Sequence, residues 1–125
     1  MSQPRAGPLI GVVGPCTSGK TTLVEALRRA GVNARAIAQE HSYVPDMWRR
    51  ITNPDLLIYL DVSYEQARLR RVIHWGPERL ETQATALAHA RAHADLILMT
   101  DQLTAEEVAA LVLGFIRHHT PWGEA

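Results

Sequence analysis

Leu9 to Thr22 reads LIGVVGPCTSGKTT, and this stretch decides the fold. Its first half, with Leu9, Ile10, Val12 and Val13, is a short apolar run of the kind that fills a buried strand. Its second half runs Gly14, four further residues, then Gly19-Lys20-Thr21, the spacing of a phosphate-binding loop set between a strand and a helix. The chemistry accounts for the residue types. Glycines let backbone N–H groups wrap an anion, and the N-terminus of the following helix adds positive potential. Lys20 supplies a point charge for β- and γ-phosphates, and the Thr21 hydroxyl is a ligand for Mg²⁺. The expected nucleotide contacts are the loop itself: Gly14, Pro15, Cys16, Thr17, Ser18, Gly19, Lys20, Thr21 and Thr22. Leu23, Val24, Ala26, Leu27 and Ala30 continue as a helix that Gly31 stops.

Working outward, Asn33 to Glu40 reads as a weak second strand centred on Ala36, Ile37 and Ala38. Pro45 to Ile51 holds a short helix. Asp55 to Val62 (DLLIYLDV) is a strong third strand, apolar on both faces as in a covered parallel sheet. Ser63-Tyr64-Glu65-Gln66 is a capping box that opens a helix through about Ile73. Gly76-Pro77 breaks it, and Pro77 suits the first turn of another helix, with Leu80, Ala84, Leu87 and Ala88 on one face. Asp95 to Met99 is a fourth strand. Thr104-Ala105-Glu106-Glu107 is a second capping box, and Val108, Leu111, Val112, Phe115 and Ile116 form the apolar stripe of the last helix. Strands alternating with helices predict an α/β fold: a four-stranded parallel sheet with right-handed crossovers and helices on both faces, in three layers. A ligand belongs at the carboxyl ends of the strands, toward which Gly14, Glu40, Asp61 and Thr100 point.

At 125 residues the chain is one domain, residues 1–125, with flexible ends expected at 1–8 and 120–125. Thirteen basic residues balance thirteen acidic ones, which argues against a nucleic-acid or membrane footprint. The apolar stretches are strand-sized, too short to span a membrane, and the polar N-terminal lead does not read as a signal peptide. The single cysteine, Cys16, excludes an internal disulfide and fits a reducing cytoplasm.

Asn53-Pro54-Asp55-Leu-Leu-Ile-Tyr-Leu-Asp61-Val62-Ser63, with Ala67 and Arg68 following, resembles the thymidylate kinase and deoxynucleoside kinase group of P-loop NTPases. In those enzymes a PDLxIYLDV strand leads into a helix whose arginines begin the lid over the phosphates. Ala94-Asp95-Leu-Ile-Leu-Met-Thr100-Asp101, followed by Leu103-Thr104-Ala-Glu-Glu-Val108, resembles their last strand and helix. The family has two strands between the loop helix and the PDLxIYLDV strand, and only one fits here. That strand and its sequel, Gln39-Glu40-His41-Ser42-Tyr43, resemble the second of the two, with Glu40-His41 in place of an Asp-Arg pair. The resemblance therefore implies a minimal version without the acceptor-binding segment, a strand order of 2-1-3-4, and a shortened lid.

Two carboxylates compete for the metal or base role. Glu40 is placed to hold Mg²⁺-bound water or to take a proton from an acceptor hydroxyl. Asp61 ends the stronger strand, and its alternative is to cap the next helix or bond to the backbone turn. The resemblance favours Glu40. Of Arg68, Arg70 and Arg71, helical geometry puts Arg68 and Arg71 on one side, making them the candidates that close over a γ-phosphate. Arg49 and Arg50 beside Trp48 are candidates for an acceptor pocket, with Trp48 either stacking on a ring or filling the core. His89 and His93 have metal-compatible spacing but no third ligand in sequence, and they read as part of an exposed alanine-rich face. His118-His119 is a weaker pair still. Cys16 reads as a tolerated small residue whose alkylation blocks phosphate binding.

Taken together, the expected function is transfer of the γ-phosphoryl group of Mg-ATP to a small hydroxyl or phosphate acceptor. Lys20, Glu40, Arg68 and Arg71 are the catalytic residues, and Thr21, Glu40 and Asp61 the metal candidates. ATP is favoured because the GTPase-type Asn-Lys-x-Asp pattern does not occur. The alternative is a nucleotide-binding module or weak NTPase that acts with a partner. Acceptor and oligomeric state are not legible.

Overall fold

β1 (Ile10–Val13) is buried along its whole length because strands flank it on both sides and apolar side chains cover both faces of the sheet there. The computed structural model describes residues 8–119. In it β1 pairs in parallel with β2 (Ala34–Ala36) and with β3 (Leu56–Asp61), and β4 (Leu96–Met99) pairs in parallel with β3. The result is a four-stranded, all-parallel sheet in the order 2-1-3-4. Four α-helices accompany the strands: α1 (Lys20–Arg29) after β1, α2 (Tyr64–Arg70) and α3 (Pro77–His93) after β3, and α4 (Ala105–His119) after β4.

Side-chain alternation along the strands divides the core in two. Ile10, Val12, Ile58 and Leu60 pack against Leu23, Val24 and Leu27 of α1 and against Val108, Val112 and Ile116 of α4. Val13, Leu57 and Tyr59 point to the other side, where Trp48 and the α3 residues Leu87 and Ala90 cover them. Burying each of the larger aliphatic side chains contributes about 1.5–3 kcal/mol. Strand starts are fixed by carboxylates: Asp55 accepts from Leu9 N at 2.7 Å and Asp95 from Leu57 N at 2.8 Å.

Chain punctuation is legible at several ends. Gly31 follows α1 with φ +87°, a left-handed residue at a helix stop. Thr104 and Glu107 form the full capping box of α4, each side chain bonding the other's backbone N–H, at 2.9 and 3.1 Å. At α2 only half of the predicted box forms. Ser63 Oγ accepts from Gln66 N at 3.2 Å, but the Ser63 N–H goes to Asp101 across the β4–α4 turn at 2.9 Å.

Four expectations need correction. β2 covers only Ala34–Ala36, because it is an edge strand paired with β1 alone, and the chain then bends into a 3-10 turn over Gln39–His41. Glu40 sits on that turn, not on a strand end. The short helix expected at 45–51 is a wide π-type turn over Trp48–Thr52, closed by Asn53 in the left-handed region at φ 45°. α2 stops at Arg70, and Arg71 is extended. Finally, α3 buries Gln83, Leu87 and Ala90, whereas Ala84 and Ala88 are exposed. In α4 the stripe holds except at Leu111, which is half exposed. The expected flexible ends lie outside the described residues, apart from Pro8. Among the described residues no helix is long and apolar enough to cross a membrane.

Candidate functional site

β1 delivers Gly14 to a point where only glycine fits. Its φ is +154°, and an added Cβ would lie 2.2 Å from Leu60 O of β3 and 2.8 Å from Ser18 Oγ. The loop that follows closes on itself, with Ser18 N donating to Pro15 O at 3.2 Å, and Leu23 N donating to Gly19 O at 3.0 Å as α1 begins. Thr17 and Gly19 both adopt positive φ, 68° and 97°. Alternation of left- and right-handed residues is the backbone form that gathers N–H groups into an anion-binding hollow.

Lys20, the first residue of α1, turns its ammonium back across this loop. Nζ donates to Gly14 O at 2.7 Å and to Glu40 Oε2 at 2.7 Å, with Pro15 O at 3.4 Å. The ion pair is nearly dry, the two side chains being 12% and 5% exposed. The 3-10 turn brings Glu40 to this point, and its buried partner Gln39 anchors the turn. Gln39 donates to Val44 O and Ala86 O at 2.9 and 3.1 Å and accepts from Trp48 N at 2.8 Å. Three buried oxygens here have no hydrogen-bond partner among the described residues: Thr17 Oγ1, Ser18 Oγ and Glu40 Oε1. Unpaired buried acceptors are uncommon and mark places where a ligand completes the bonding.

A cleft of about 680 Å³ opens over the loop. Residues Cys16 to Thr22 all line it, with Glu40, His41, Arg70, Arg71 and Thr100. Gly14 and Pro15 contribute their carbonyls to Lys20 from behind. A second hollow of about 520 Å³ adjoins it between the 3-10 turn and α3, sharing Glu40 and His41 and adding Arg79 and Gln83.

The expected site residues divide accordingly. The loop residues, Glu40 and Arg71 come together. Arg68 does not: it pairs with Glu65 at 3.8 Å and lies over the Tyr64 ring at 5.8 Å, away from the cleft lining. Arg70 takes its place, donating to Thr17 O and to Thr100 O, both at 2.8 Å. Both arginines lie within α2, and the face that carries Arg70 is the one turned to the loop, while Arg71 enters the cleft from the extended residue just past the helix. Asp61 also stays out of the cleft lining. Its carboxylate accepts from Val62 N at 2.9 Å and its carbonyl from Thr100 Oγ1 at 2.8 Å, so it holds the turn.

Trp48 is core, 6% exposed, with its indole N–H donating to His89 Nδ1 at 3.1 Å. Arg49 and Arg50 both pair with Asp46, and the Arg50 guanidinium bonded to Asp46 holds that carboxyl below its ordinary range. His89 and His93 stack at 4.2 Å, and His89 is half-buried through its bond to Trp48. The alanine-rich face is thus only partly solvated.

Gln83 is the contributor that sequence reasoning missed. Buried on α3, it accepts from Cys16 N at 2.9 Å and donates to Cys16 Sγ at 3.2 Å, tying the loop to the helix behind it. A lone glutamine in an alanine-rich helix carries no signal of such a role. His41 was legible only as the neighbour of Glu40, and its Nε2 lies 3.7 Å from Cys16 Sγ.

No family model matches the chain, and no curated protein matches it.

Proposed function

We propose that this chain binds Mg-ATP at the glycine loop and transfers the γ-phosphoryl group to a small hydroxyl or phosphate acceptor. The carrying observation is the Lys20 ammonium held at 2.7 Å by both Gly14 O and Glu40 Oε2, beside buried Thr17, Ser18 and Glu40 oxygens left without partners. A triphosphate offers the charge and the acceptor oxygens that this hollow answers. Lys20 exchanges part of its present shell for phosphate oxygens, and the loop N–H groups with the N-terminus of α1 take the remainder. Thr21 and the free Glu40 Oε1 are oxygen donors of the kind a hard cation requires. When bound there, Mg²⁺ neutralises charge on the β- and γ-oxygens.

Arg71 lines the cleft, and Arg70 braces the loop against the β4 end. Glu40 borders both the cleft and the hollow beside α3, so it is the residue placed to accept a proton from an acceptor hydroxyl seated in that hollow. Catalysis of this type is positioning and charge stabilisation. The resemblance to thymidylate and deoxynucleoside kinases supports the reading, as does the sheet order 2-1-3-4. The lone cysteine fits a reducing cytoplasm, where ATP is supplied.

The test is ADP release measured against a panel of nucleosides, nucleotides and sugars. An acceptor that raises release about tenfold or more over water supports transfer, and Glu40→Gln then lowers turnover by roughly 10²-fold or more. A second reading, a nucleotide-binding module or weak NTPase, is favoured by Arg70, whose guanidinium is committed to two backbone carbonyls. Flat release across the panel would decide for that reading.

A further inference from the structure

Two side chains have no role in the contacts used so far, the Cys16 thiol and the His41 imidazole, and both lie beside the Glu40 carboxylate that borders the triphosphate cleft. The ligand atoms of the three, one from each residue, all lie within 4.8 Å of one another. We propose that Cys16, His41 and Glu40 form a binding site for a thiophilic divalent cation of the zinc class, with the fourth position open.

The geometry points to this class. Zinc takes thiolate at about 2.3 Å and imidazole nitrogen or carboxylate oxygen at about 2.0–2.1 Å. In a tetrahedron those bond lengths set ligand–ligand edges of about 3.3–3.6 Å. Cys16 Sγ to His41 Nε2 is 3.7 Å, and His41 Nε2 to Glu40 Oε2 is also 3.7 Å. The third edge, from Cys16 Sγ to the Glu40 carboxylate, is at most 4.8 Å, so closing the site takes side-chain movements of up to about 1 Å. His41 can make them, because its side chain is 60% exposed.

A second observation is independent of these distances. Glu40 is 5% exposed, yet its Oε1 has no partner among the described residues, so the turn presents a buried lone-pair donor with nothing to bond. Supporting contacts of the kind that orient metal ligands are already present. Gln83 Nε2 donates to Cys16 Sγ at 3.2 Å, and Lys20 Nζ to Glu40 Oε2 at 2.7 Å. The ligand set mixes one soft sulfur with nitrogen and oxygen, which suits zinc and is poor for Mg²⁺ or Ca²⁺. Binding releases the thiol proton to solvent and forms a metal–sulfur bond with no change of oxidation state.

The experiment uses Co²⁺ as a spectroscopic stand-in, titrated into metal-stripped full-length protein with a non-thiol reductant and no nucleotide. Wild type is expected to develop the visible bands of tetrahedral cobalt and a near-ultraviolet sulfur-to-cobalt charge-transfer band, both abolished by added Zn²⁺. Cys16→Ser removes the charge-transfer band. His41→Ala, at an exposed position, weakens Co²⁺ binding by about 100-fold. His93→Ala leaves both readouts unchanged, and circular dichroism confirms that each variant is folded. Absence of the charge-transfer band in wild type overturns the proposal. So does equal affinity in His41→Ala, or loss of binding in His93→Ala.

Discussion

The two sides of the sheet are built from different materials. Toward α1 and α4 the buried core is aliphatic, with Ile10, Val12, Leu27, Ile58, Leu60 and Val112 each fully buried and the half-buried Phe115 packed at its margin. Toward α3 the core contains Trp48 and Tyr59, and it is stitched by buried amides, Gln39 and Gln83, 1% and 3% exposed. The aliphatic side needs only the right volume and periodicity. The amide side fixes geometry, because each buried polar atom must find its partner. That side carries the 3-10 turn, and with it Glu40 and His41, to the loop. The aliphatic side supplies most of the bulk burial and seats Lys20 at the start of α1, and the amide side brings Glu40 to meet it.

Gly14, the joint between the two sides, is the strongest place to break this arrangement. Gly14→Ala drives a methyl into the Leu60 carbonyl at a left-handed φ, and a loss above about 4 kcal/mol is expected in chemical denaturation. Leu27→Ala on the aliphatic side removes about 3 kcal/mol through its cavity. Nucleotide affinity, measured below the melting transition, should be unchanged in that variant. Gln83→Ala on the amide side reverses the pattern. It removes only about 1–2 kcal/mol, since it strips the partner from Cys16 N. Yet it loosens the loop and weakens nucleotide binding about tenfold, the equivalent of roughly 1.4 kcal/mol. Equal ratios of stability loss to affinity loss in the two variants would contradict the division of labour.

Much of this was legible in sequence, for reasons that particular residues show. β1, β3 and the loop were readable because apolar runs end at Gly14 and at Asp61, and α4 because its apolar stripe has helical spacing. The amide side was harder to read. Gln83 breaks the apolar periodicity of α3, so its buried face was assigned to Ala84 and Ala88 when Gln83 and Ala90 hold it. The stop of α2 has no glycine or proline until Gly76. The last helical residue, Arg70, bonds Thr17 and Thr100, and helical spacing alone does not reveal that the face carrying Arg70, not Arg68, meets the loop. Nothing in Ala36-Ile37-Ala38 announces an edge strand that turns away, so the sequence pattern overruns the end of β2 at Ala36.

An effect of similar size to that of Gln83→Ala is a pH dependence on the amide side. Burial, with the nearby Asp61 charge adding, pushes the Tyr59 hydroxyl up to about 12 from 10.0. An unfolded chain ionises there first, so stability is intact below pH 10 and falls as pH rises from about 10 to about 12. The loss is on the order of 2 kcal/mol, and Tyr59→Phe should remove that part of the slope in alkaline denaturation curves.

The central claim is that the Lys20 hollow binds a nucleoside triphosphate. It is tested most directly by calorimetric titration of ATP, with and without Mg²⁺, into wild type and Lys20→Ala. The account predicts Mg²⁺-dependent, one-to-one binding in wild type and at least about a hundredfold loss in the variant, near 2.7 kcal/mol. No Mg²⁺-dependent binding of any nucleoside triphosphate to folded wild type, or equal binding by Lys20→Ala, would contradict it.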